Sequence, residues 1–60
     1  MKYREFMRSE MFVNADVIDY LDENYEELDV IDDEDYFDCE VIEVNKSECV
    51  GVIEIVLKTN

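Results

Sequence analysis

The chain has no histidine and only five basic residues among 60, with no lysine, arginine or histidine at all between Asp16 and Glu43. Without histidine it lacks the side chain that most often works as a general base near neutrality and the commonest metal ligand. With only two cysteines besides, a zinc centre is not expected. No stretch has the apolar length of a membrane span, and the first residues lack the apolar core of a signal peptide. The expectation is therefore a cytoplasmic protein without a membrane partner.

The shortage of bases stands against 18 acids, for a formal net charge of -13. Most of such a surface repels a phosphate backbone or an anionic bilayer, so direct nucleic-acid binding is not expected. Hydrophobic residues make up 48% of the chain and are spread along it, which argues for a folded domain over a disordered one. At 60 residues it is one domain, whose core contributes only about 3–5 kcal/mol, so a partner or a second copy would help.

Residues 2–11 place Tyr3, Phe6, Met7 and Met11 at helical spacing with Lys2, Arg4 and Arg8 between them, predicting a short amphipathic helix. Two readings are open for the next stretch. In the first, Asn14 caps a helix over 15–28, with Val17, Ile18, Leu21, Tyr25 and Leu28 on one side and Asp16, Asp19, Asp22, Glu23, Glu26 and Glu27 on the other. In the second, Phe12 to Tyr20 is a strand, Leu21 to Tyr25 a turn and Glu26 to Ile31 another strand. Residues 29–35, with no glycine or proline to define a turn, read as a solvated connector.

The last 24 residues predict an antiparallel hairpin, Tyr36–Val44 and Cys49–Lys58, joined by the loop Asn45 to Glu48. Setting Val44 opposite Cys49 requires a β-bulge near Glu40 and Val41. Phe37, Cys39, Ile42, Val44, Cys49, Ile53, Ile55 and Leu57 then share the buried face. In that register Cys39 and Cys49 are about 13 Å apart at roughly 3.3 Å per residue. Two free thiols follow, since a disulfide needs Cα atoms within about 7 Å. Val41, Val50, Val52 and Val56 would lie on the other face, which either the first helix or a second protomer, in a homodimer, is expected to cover. The fold class is α+β: N-terminal helix or helices packed on a C-terminal antiparallel hairpin, the alternative being one helix followed by a four-stranded meander.

Carboxylate pairs are abundant, but acid–base catalysis needs one carboxyl desolvated beside another kept ionised. A domain this small does not easily enclose such a cleft, and no enzyme activity or cofactor is expected. Asp22, Asn24 and Glu26 match the first, third and fifth places of an EF-hand loop, yet Glu27 and Asp33 stand where its glycine and bidentate glutamate belong. That leaves at most a weak divalent-cation site. The remaining chemistry is a surface for a basic partner, carried by Asp16, Asp19, Asp22, Glu23, Glu26, Glu27, Asp29, Asp32, Asp33, Glu34 and Asp35. On the helical reading the acids from Asp16 to Asp29 recur about every 3 Å, close to the roughly 3.4 Å phosphate spacing along one DNA strand.

In size and in its unpaired acids, Asp19, Asp22, Glu23, Glu26, Glu27 and the run Asp32 to Asp35, the chain resembles small acidic inhibitors encoded by phages and other mobile elements, among them DNA mimics and anti-CRISPR proteins. The resemblance is one of composition and carries no motif. It implies a protein that presents carboxylates to the basic groove of a nucleic-acid-binding protein. The competing expectation is a small soluble interaction domain or homo-oligomeric module without a mimic role.

Overall fold

The C-terminal segment Val52–Lys58, rich in β-branched residues, forms the middle strand of the sheet. In the computed structural model, which describes residues 1–60, this strand is β3; it is flanked by β1 (Val17–Leu21), parallel to it, and β2 (Glu40–Lys46), antiparallel. Side chains alternate along it. Ile53, Ile55 and Leu57 turn to one face and join Tyr3 and Phe6 in the core, where Tyr3, Ile55 and Leu57 are wholly buried. Phe12 meets the rings of Tyr3 and Phe6 edge-on, at centroid distances of 6.2 and 6.0 Å. The molecule is α+β, and no helix is long and apolar enough to cross a membrane.

The helix expected over 2–11 forms as two single turns, α1 (Tyr3–Phe6) and α2 (Glu10–Val13). Ser9 breaks it: its hydroxyl accepts from Phe12 N at 3.4 Å and caps α2, a local bond that competes with helix continuation. Asn14 is the C-cap of α2, where an N-cap of a second helix was expected.

The helix expected over 15–28 does not exist. Val17–Leu21 is β1, Asp22 to Tyr25 turns, and the chain touches back through one isolated bridge, Leu21 to Glu27, and the bond from Leu28 N to Tyr20 O at 2.8 Å. Like charges three and four apart, with no lysine among them, weaken a helix here. The edge of β3 offers backbone partners instead, and as a strand the segment sends Ile18 and Tyr20 together against the core. The strand-and-turn reading is nearer, but its second strand shrinks to that bridge, so there is no four-stranded meander. The phosphate-like charge spacing, which depended on a helix, goes with it.

Strands β2 and β3 pair with an irregularity between Val41 and Glu43, close to the expected bulge. The register differs: Val44 faces Ile55 rather than Cys49. The offset is even, so Ile53, Ile55, Leu57 and Val44 keep the core side. Cys49 does not: it is exposed in the connection to β3, while Ile42, at the bulge, is 52% exposed. The cause lies outside the hairpin. Gly51 O accepts from Asp16 N at 2.7 Å and Val17 N at 3.1 Å, and Gly51 adopts φ 81°, so residues 49–51 turn against the start of β1 and cannot extend the strand. A Cβ at Gly51 would collide with the Asp16 carboxylate. Both cysteines are free, Cys39 half-buried.

The four valines expected to form one self-association face are scattered. Val41 packs against the core, Val56 is buried, Val52 is half-buried, and Val50 stands 98% exposed in the turn.

Candidate acidic surface

Between β1 and β2 the chain runs through residues 22–39, a connection with no buried residue. Leu28, Tyr36, Phe37 and Cys39 rest half-buried on the core, and its own carboxylates shape the backbone between them. Asp22 Oδ1 accepts from Asn24 N at 2.8 Å and Glu26 N at 3.0 Å, closing the turn that follows β1, in which Tyr25 takes φ 61°. Asp32 accepts from Glu34 N at 3.1 Å and caps a 3₁₀ helix, Asp33–Tyr36. Glu23 reaches the C-terminus, accepting from Thr59 N at 2.8 Å and also from the Thr59 hydroxyl and Asn60 Nδ2. These donors, the Thr59 amide first, hold its pKa below the ordinary carboxylate value.

Asp33 turns inward. It accepts from the Tyr3 hydroxyl at 2.8 Å, and the same hydroxyl lies 2.7 Å from that of Tyr20. A phenol has one proton to donate, so with Tyr3 donating to Asp33 it is Tyr20 that donates to Tyr3. The rings meet edge-on at 5.8 Å. Burial pushes both phenol pKa values up; hydrogen bonds to Tyr20 and Asp33 add to this for Tyr3, while for Tyr20 the Tyr3 bond opposes it and the Asp33 charge adds. The relay ties α1, β1 and the acidic connection at one point. Spacing gave no sign of it, because its three members are brought together only by the fold.

Both ion pairs of the molecule end on Asp38, from Arg4 at 2.9 Å and Lys2 at 3.8 Å, with the Arg4 guanidinium 5.6 Å from the Phe37 ring centre. The basic N-terminal face thus forms ion pairs with the acidic segment at a single residue. Of the eleven acids expected to meet a partner, Asp22, Glu23, Asp32 and Asp33 are engaged within the chain. The other seven, Asp16, Asp19, Glu26, Glu27, Asp29, Glu34 and Asp35, are exposed and have no counter-ion.

No three carboxylates or thiols converge as metal ligands. In the Asp22–Asn24–Glu26 segment one carboxylate oxygen of Asp22 accepts two backbone amides and closes a turn. A hollow of about 440 Å³ lies between α2 and the 47–51 turn, lined by none of these acids. No family model matches the chain, and neither a curated protein nor a solved structure matches it.

Proposed function

We propose that the protein is a non-enzymatic acidic binding protein that presents carboxylates to a basic, nucleic-acid-binding groove of another protein, in the manner of a DNA-mimic inhibitor. One observation carries this reading: the molecule's ion pairs all end on Asp38, leaving seven exposed acids of residues 16–35 without a cation. An uncompensated charge of one sign costs stability by self-repulsion and steers an oppositely charged partner. The four engaged acids support the reading in a second way, since they hold the connection in one shape and leave its neighbours facing solvent.

The test is capture from lysate at low salt, followed by a salt gradient and competition with DNA. The expected result is one nucleic-acid-binding protein, released between about 0.1 and 1 M salt, over which the screening length shrinks from about 10 to 3 Å. The informative variant reverses Glu26, Glu27, Asp29, Glu34 and Asp35 to Lys, because none of their carboxylates accepts a hydrogen bond within the chain. It should keep its circular dichroism and lose the partner; full capture by this variant would refute the proposal. Reversing Asp22 and Glu23 would confuse the result by removing a turn cap and the tether to Thr59.

A further inference from the structure

One face of the sheet packs on the helical turns; the other carries none of them. Alternation places Val17, Asp19 and Leu21 of β1, Val52, Glu54, Val56 and Lys58 of β3, and Glu40, Glu43 and Asn45 of β2 on that second face. Phe6, Phe12 and Tyr36, from the three helical elements, all pack with the core on the opposite side. The second face is covered at one end and open at the other. Val56 is buried and its neighbour Leu21 half-buried, whereas at the other end Val52 is half-buried and its partner Val17 is 51% exposed, so an apolar floor is open to solvent beside Asp19 and Glu54.

Charge decides what could cover it. Asp19 and Glu54 are direct cross-strand neighbours, and neither makes an ion pair. Like charges so placed are destabilising. Four carboxylates, Asp19, Glu40, Glu43 and Glu54, share the face with one cation, Lys58. A second copy would bring a net charge of -13 against -13 and repeat the same four acids. A strongly polar cation such as polylysine would satisfy the acids and leave the valines wet.

We infer that the outer sheet face of Val17, Asp19, Leu21, Val52 and Glu54 docks a cationic amphipathic segment of the partner, its apolar side chains on the valine floor and a Lys or Arg between Asp19 and Glu54. This rests on the acidic-presentation reading and deepens it, adding a shape-specific apolar contact to the diffuse attraction of residues 22–35.

The probe is a helical leucine–lysine peptide of about 18 residues, five turns, carrying one tryptophan for fluorescence; the protein itself contains none. A lysine–serine peptide of equal charge is the control. Amide-shift changes in 17–21, 42–45 and 52–58, with the leucine–lysine peptide bound at least about tenfold tighter than the control, is the result expected for apolar contact added to charge. Asp19→Asn with Glu54→Gln should weaken that binding by about tenfold as the partnered carboxylates are lost, and Val17→Lys, at an exposed position, should do the same by repulsion. Equal affinity for both peptides, or shift changes confined to 22–35, would overturn the inference and leave the acidic reading standing. Sedimentation as a dimer with these amides protected would overturn it in favour of a second copy. Failure of the acidic reading shows separately, as salt-independent capture from lysate.

Discussion

Strand β3 and the connection over residues 22–39 are held in place by different means. The strand contributes Ile53, Ile55, Val56 and Leu57, four of the six buried residues, and is bonded on both sides. The connection has no fully buried residue: Leu28, Tyr36, Phe37 and Cys39 rest half-buried on the core, and carboxylates fasten it at further points, Asp22 and Asp32 on their own backbone, Glu23 on Thr59, Asp33 on Tyr3 and Asp38 on Arg4. Apolar burial needs contiguous neighbours, whereas a carboxylate needs only an N–H or O–H within reach. The half-buried side chains and these point contacts together keep so acidic a segment ordered without a core of its own.

The contrast breaks most sharply at Leu57. Leu57→Ala should cost about 2–5 kcal/mol, comparable to the whole core contribution in a domain this small, and urea unfolding followed by circular dichroism should show the variant largely unfolded. At Gly51, an alanine would face both φ 81° and the Asp16 carboxylate, for about 1–3 kcal/mol; adding Asp16→Gly should recover the steric part and leave the conformational part. Tyr3→Phe removes the donor to Asp33 and should cost about 1–3 kcal/mol. Hydrogen exchange should then rise at 33–37 well before it rises in β3, and a uniform rise would deny that the relay is a local tether.

Two smaller effects separate the regions by pH. Tyr3 and Tyr20 have raised folded-state pKa values, so the unfolded chain gives up these protons first. Their contribution is complete below about pH 10 and is lost as pH rises past it, and Tyr20→Phe should flatten the alkaline limb of stability against pH. Glu23 has a depressed value, so its contribution is present above the ordinary carboxylate range and lost as pH falls through the folded value. Glu23→Gln should change the acid limb slightly and leave the alkaline limb unaltered, with thermal melts across pH as the measurement.

Much of the apolar pattern was legible along the chain. Tyr3 and Phe6 were readable as the buried side of the first helical segment, and Ile53, Ile55 and Leu57 as the inner side of a strand, because both periodicities are local. The irregularity near Val41 was readable too, from the need to keep acids off the inner face. Residues 15–28 were not, since Val17, Ile18 and Leu21 step by three and four while Ile18 and Tyr20 alternate, and both patterns occupy the same residues. The hairpin register failed for a related reason: the contact of Gly51 with Asp16 that sets it joins residues far apart in sequence. In the acidic surface, which carboxylates would be free and which engaged depended on Thr59, Tyr3 and Arg4 arriving beside them.

Composition and short-range pattern determined the sign and excess of charge, the want of histidine chemistry, the α+β character and the identity of most core side chains, because these follow from residue type and local period. Tertiary structure decided the parallel seat of β1 beside β3, the register of β2, the inward turn of Asp33 and the open sheet face where Asp19 meets Glu54. Each of those is a contact between distant residues, whose free energy exists only once the chain has closed the loop between them.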